Sequence, residues 1–308
     1  MLINREVILV KTETTYNTDP TPTGVADAVL VETPSWAMEG ARMNERPVVR
    51  ASLGKVQQVY GGSLRAISFN CELKGSGTAG TAPEIGALLR ACGFGETIVA
   101  STSVMYAPVS TGIESATIYY YQDGRLTTLT GCRGTVSFSF EAGGLGKAAF
   151  NFIGHSATPT DVTITTGTYD SVVPVAFKDI SFSIDSFAAV IGTFSFDMGI
   201  TLATPPNPSS IDSYGDVQIT MRDVTGSIDP EDELVATEAF EANYRNGTSM
   251  ALATGSIGST TGNIYAISMP AVYYRDIAQG DRDGIRINNL NFAAAESTTD
   301  DEVSIAFT

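Results

Sequence analysis

The chain contains one histidine, one tryptophan and three cysteines in 308 residues. A lone histidine, His155, has no second imidazole with which to hold a metal. Cys71, Cys92 and Cys132 are odd in number and fall at unrelated spacings, which fits neither a disulfide framework nor a zinc site. They are expected as small core residues from a reducing cytoplasm. No apolar run approaches the roughly 20 residues of a membrane-spanning helix. Residues 1–6 lack the basic-then-apolar order of a secretory signal. Positive charge is also scarce: 18 Lys and Arg stand against 34 Asp and Glu, a net charge of −16. Residues 1–155 carry 12 basic and 13 acidic side chains, and residues 156–308 carry 6 and 21. Such a surface repels phosphate, so ordinary nucleic-acid binding is not expected.

What is abundant is alternation. Val136, Phe138 and Phe140 alternate with Thr135, Ser137 and Ser139, and Ile180, Phe182 and Ile184 alternate with polar residues. Phe194, Phe196 and Met198 repeat the pattern, as do Val303, Ile305 and Phe307. A period of two means strands with one buried face. Asp123-Gly124 between two such runs is a hairpin signal. Two helices are predicted. The first covers 83–92, with Thr81 and Glu84 as a capping box, and the second covers about 230–245, capped by Asp229 and closed by Asn246-Gly247. A strand ending in Gly-Ser precedes each helix (Gly75-Ser76 and Gly226-Ser227), and further strands follow each. The chain therefore reads as one β-rich unit written twice, mainly β, with one flanking helix per copy. A Thr/Pro/Asp/Gly-rich linker at about 156–176 separates the copies, giving domains 1–160 and 161–308.

The motifs that suggest chemistry are weak. Gly75-Ser76-Gly77-Thr78-Ala79-Gly80 spells G-x-G-x-x-G between a strand and a helix, but no acidic ribose ligand follows at ~20 residues. Three carboxylates, Asp229, Glu231 and Asp232, stand at the corresponding place in the second copy. Asp281-Arg282-Asp283-Gly284 begins like a calcium loop yet lacks the later ligands, and reads as a tight polar turn. His155 reads as an exposed loop residue. Tyr119, Tyr120, Tyr121, Tyr273 and Tyr274 suit strands or subunit interfaces better than a sugar platform. No catalytic, metal or cofactor site is expected.

Three stretches carry a resemblance: Pro34-Ser35-Trp36-Ala37-Met38-Glu39-Gly40-Ala41-Arg42, then Thr81-Ala82-Pro83-Glu84-Ile85-Gly86, then residues 114–124 ending in Gln122-Asp123-Gly124. With the closing acidic-to-apolar segment 300–307, they resemble the major tail tube proteins of siphophages, nearest in character to transposable Mu-like Pseudomonas phages. The resemblance implies a tail-tube-like β-sandwich or barrel with one flanking helix and a long arm; the chain departs from the family pattern by carrying two such domains in tandem. It also implies self-assembly into stacked rings around a channel that conducts the genome into the host. Many such proteins form hexamers of single domains, so a two-domain chain implies a trimer. Implied partners are a tape measure protein inside the tube and terminator and tip proteins at its ends. DNA would pass only in transit, through an acidic lumen, with no membrane contact. The implied location is the virion, after assembly in the host cytoplasm. The alternative reading is a tandem β-sandwich virion protein that binds a receptor or carbohydrate. Within this frame the segment at about 35–62 is the expected ring-to-ring arm. It holds Trp36, Met38 and Met43 as apolar surface and Arg42, Arg46, Arg50 and Lys55 as a basic rim in an acidic chain.

Overall fold

The computed structural model describes residues 2 and 4–308. The first half contains β1 (Glu6–Thr12), β2 (Ala28–Val29), β3 (Glu32–Glu39), β4 (Met43–Asn44), β5 (Val59–Tyr60) and β6 (Leu64–Glu72), then helix α1 (Gly86–Ala91). There follow β7 (Phe94–Val99), β8 (Ser103–Pro108), β9 (Ala116–Gln122), β10 (Arg125–Glu141), β11 (Lys147–Ser156) and β12 (Thr160–Asp161). The second half contains β13 (Ser183–Ile184), β14 (Phe187–Ala188), β15 (Thr193–Asp197), β16 (Thr201–Ala203), β17 (Gln218–Met221) and β18 (Thr225–Ile228), then helix α2 (Phe240–Asn246). It ends with β19 (Met250–Ala253), β20 (Tyr265–Arg282), β21 (Ile285–Ala294) and β22 (Ser304–Phe307).

The alternating sequence becomes alternating burial. On β10, Val136, Phe138 and Phe140 are buried while Ser137 and Ser139 face outward. Ala148, Phe150 and Phe152 on β11 and Phe194 and Phe196 on β15 point to the same side. Each such ring contributes about 1.5–3 kcal/mol by leaving water. The buried side chains of both halves form one continuous apolar cluster. Asp123 and Gly124 both have positive φ, 33° and 99°, and so do Asp283 and Gly284, 55° and 84°. That geometry matches the twist of the hairpins they close.

Strand pairing repeats. In the first half the order is β3-β6-β11-β10-β9-β1-β2, and β12 pairs with the start of β10. In the second half it is β15-β18-β21-β20-β19-β13-β14, and β22 pairs with the start of β20. The register of β10 on β11 slips between Thr130 and Arg133, and that of β20 on β21 between Tyr274 and Asp276. A bulge thus falls at a comparable place in the strand order of each half.

Several local expectations need correction. Both helices are shorter than predicted. The first starts at Gly86 with no side-chain cap: Glu84 lies 3.5 Å from Lys74 and accepts the backbone N–H of Asp170, so no capping box forms. Residues 230–239 are not helical, because Asp229 accepts the N–H groups of Gly192 and Thr193 and Glu231 pairs with Arg282. Gly247 does close α2, in the left-handed conformation. Gly226-Ser227 lies within β18, not in a strand-to-helix turn. The counterpart of β6 is therefore β18, and the strand expected over 217–224 belongs to a separate pair, β16–β17.

Candidate functional site

Three features stand out: a seam between the halves, two open strand edges and a pair of arms. At the seam, the last part of β10 pairs with β15 over Ser137–Asp197 to Glu141–Thr193. Phe138 stacks on Phe196 with ring centroids 4.6 Å apart, and Phe140 stacks on Phe194 at 5.4 Å. Such aromatic pairs add about 0.5–1.5 kcal/mol each beyond burial. The seam produces an eight-stranded run, β3-β6-β11-β10-β15-β18-β21-β20. Its core face is aromatic. Its solvent face carries Ser35, Ser68, Asn151, Ser137, Ser195, Ser227 and Asn291. Ser35 and Ser68 hydrogen-bond across strands at 2.8 Å, and Ser195 and Ser227 at 2.9 Å.

This run has two unpaired edges among the described residues. β3 pairs only with β6, and the outer part of β20, from Ile277 onward, pairs only with β21. Exposed backbone donors and acceptors of this kind are templates for strand addition. Beside the β3 edge lies Arg65, 2% exposed, with its guanidinium 4.4 Å above the Trp36 ring. Arg125 lies 5.8 Å from the same ring. Nε and Nη1 of Arg65 and Nε of Arg125 have no hydrogen-bond partner among the described residues. The acidity of Arg65 is shifted toward the neutral form, first by burial and then by the positive charge of Arg125.

The arms occupy equivalent positions. Residues 40–63 link β3 to β6 and contain the β4–β5 hairpin; residues 198–224 link β15 to β18 and contain β16–β17. The second arm is docked on the first half. Tyr16 Oη accepts the Val217 N–H at 2.6 Å, Arg133 donates to Val217 O at 2.8 Å, and Tyr214 and Val217 pack on Leu64. Among the described residues the first arm is held at its base, where Tyr214 Oη donates to Gly40 O at 2.5 Å and Arg42 stacks 4.2 Å over the Tyr214 ring. Beyond that base, residues 45–58 have no regular structure; Val49 and Leu53 are fully exposed.

The structure therefore divides the residues expected in one arm. Trp36 and Met38 lie on β3, Arg42 is pinned to the second arm, and Met43, Arg46, Arg50 and Lys55 project with the free hairpin. Arg50 donates to the carbonyls of Gly54 and Lys55 and so shapes the tip. Sequence reasoning missed the second arm, Arg65 and the true place of His155. His155 is buried on β11, where Nδ1 lies 2.5 Å from Asp212 of the second arm, so it is not an exposed loop residue. The signal for the second arm was the repeat itself, once β18 rather than 217–224 is aligned with β6.

The remaining motifs hold other parts of the chain. In the glycine-rich turn, Gly75 N donates to Asn263 Oδ1 at 2.9 Å and Gly77 N to Gly262 O at 2.9 Å. Those donors therefore serve the second half of the chain and are not aimed at a phosphate. Tyr120, Tyr121 and Tyr274 are buried and form no exposed platform. Burial pushes the thiols of Cys71, Cys92 and Cys132 up. Among comparisons with known proteins, the family model for phage tail tube proteins matches residues 3–302. No curated protein matches the chain.

Proposed function

The chain belongs to the phage tail tube protein family, and on that premise we propose that three copies close a ring of six quasi-equivalent units. It is a structural protein of the virion that assembles with itself into the tail tube. The observation that carries the ring proposal is the seam, where β10 of one unit takes β15 of the next as an added strand. Repeating that contact between copies uses up both open edges and leaves none to aggregate. The two units are read as domains 1–160 and 161–308.

In this reading the Ser/Thr/Asn face of the eight-stranded run lines the channel. Glu72, Glu141, Asp197 and Asp276 add negative charge to it, while Lys147 is paired with Glu32 and Arg275 with Asp223. DNA in transit is kept off such a wall by repulsion acting over about 10 Å. The free hairpin of the first arm, with Met43, Arg46, Arg50 and Lys55, is read as the ring-to-ring contact on the acidic second half of a chain above or below. A tape measure protein inside, terminator and tip proteins at the ends, and assembly in the host cytoplasm belong to the same proposal, as do the siphophage setting and the absence of a catalytic role. Electron microscopy of the purified protein tests it. Tubes built of three-chain rings are expected; rings of six whole chains would refute the stoichiometry.

A further inference from the structure

We infer that the seam between copies is ionic where the seam within a copy is aromatic: Asp281 at the end of β20 and Asp283 in the turn beyond it meet Arg65 and Arg125 of the next chain. The inference rests on the ring reading above and specifies its contact. The internal seam serves as the template. Arg133 and Asp276 are the residues that resume regular pairing after the bulge in each copy. Aligning them places Phe138 at Asp281; Phe140 falls two positions on, at Asp283, which has left β20 for the left-handed turn that closes the hairpin. Ile153 and Asn291 are their partners on β11 and β21. Following the register outward through β6 and β18 places Gly226 at Arg65, Phe194 at Trp36 and Phe196 at Met38.

Each member of the aromatic seam thus has a counterpart at an open edge, and the counterparts complement one another. Phe138 and Phe196 pair inside the chain; Asp281 and Met38 would pair between chains, with Arg65 directly opposite Met38 on β6. Phe140 and Phe194 pair inside; between chains the turn residue Asp283 would approach Trp36 without strand pairing, with Arg125 against the same indole. Gly226 shows why no arginine stands at the internal site: a Cβ there would lie 2.3 Å from Phe292. In a single copy both charge sets wait. Arg65 is buried with no acid paired to it among the described residues; the Trp36 ring offsets part of that cost, and a carboxylate brought to the guanidinium would offset more. Asp281 and Asp283 are exposed, and among the described residues Asp281 accepts a single long bond, 3.4 Å from Gly284 N. Charge at this seam also sets partner choice: β20 of one chain meets β3 of another, whereas the aromatic seam forms within a chain.

The test joins two exposed positions. In the double variant Met38→Cys with Asp281→Cys, mild oxidation is expected to give a non-reducing gel ladder that stops at three chains. The wild-type cysteines are buried, and wild-type protein oxidised in parallel, with free thiols alkylated before denaturation, sets the background. A second variant, Asp281→Arg with Asp283→Arg, is expected to keep its far-ultraviolet circular dichroism and lose ring formation at concentrations where the wild type is fully assembled. Absence of the ladder in protein that still forms rings, or undiminished assembly of the double-arginine variant, overturns the seam while leaving the tube reading intact. A wild type that stays monomeric at every concentration overturns both.

Discussion

Phe138 and Phe196 stack with centroids 4.6 Å apart, and they belong to different halves of the chain. Their contact joins two copies of one strand order into a single sheet and a single apolar cluster. Phe140 on Phe194 extends it, and Phe194 in turn touches Phe182 and Phe292 deep in the second half.

Truncating this seam is therefore expected to loosen both halves together. Phe138→Ala removes a side chain that is 1% exposed, at a cost of about 3–5 kcal/mol. Urea unfolding followed by circular dichroism should show one transition moved to lower denaturant. Two separated transitions would mean that the halves unfold independently.

The buried pair His155–Asp212 ties the second arm to β11, and its acid limb has a defined sign. Burial raises the Asp212 carboxyl, but hydrogen bonds from Ser210 and His155 outweigh it and hold the group below its ordinary 3.8. A depressed carboxyl contributes stability above the unfolded value and loses it as pH falls through the folded value. The wild type should therefore weaken as pH drops below about 4, and Asp212→Asn should flatten that limb of the stability profile. An unchanged slope in urea midpoints between pH 5 and 3, taken as roughly spanning that carboxylate range, would remove Asp212 from the account.

The three thiols are buried and pushed toward the protonated form by burial. The folded protein should resist an aromatic disulfide reagent at neutral pH, and all three thiols should react in denaturant. Fast labelling of any one in the folded state would show an opening that the static packing does not contain.

How much of this was legible depends on whether the cause was local. The alternation at Val136, Phe138 and Phe140 and the turn at Asp123-Gly124 depend on near neighbours, and both read correctly from the sequence. The helices were over-long because Glu84 looks like the far member of a capping box with Thr81 and Asp229 looks like a cap. In the fold their carboxylates serve Lys74 and the backbone of Asp170, and Gly192, Thr193 and Arg282. The segment expected as an arm at about 35–62 stood out by its basic residues, but its first residues lie on β3 and the link to β6 spans 40–63. The second arm was hidden because Asp212, Tyr214 and Val217 sit in a Pro/Ser-rich stretch that resembles a loop. Arg65 was invisible as a special residue, since nothing in a strand sequence states that its edge is open.

The free hairpin provides the last test, because it separates ring formation from ring stacking. Residues 45–58 carry Arg46, Arg50 and Lys55, and Val48, Val49 and Leu53 are apolar side chains exposed among the described residues. β4 and β5 already pair at Met43–Tyr60 and Asn44–Val59, so a short Gly/Ser turn can replace 45–58 without disturbing that hairpin base. The base contacts, Arg42 over Tyr214 and Tyr214 on Gly40, remain in place. No buried group of the core is removed, so thermal stability is expected to change by less than about 1 kcal/mol, as for surface changes generally. If the hairpin docks one ring on the next, the shortened protein should form three-chain rings by mass measurement but no tubes by electron microscopy. Moderate salt should mimic the change in part, because basic side chains meeting an acidic neighbour are screened while the apolar contacts are not. Tubes of normal length from the shortened protein would show that stacking lies elsewhere, and loss of rings as well as tubes would place the hairpin at the side-by-side contact.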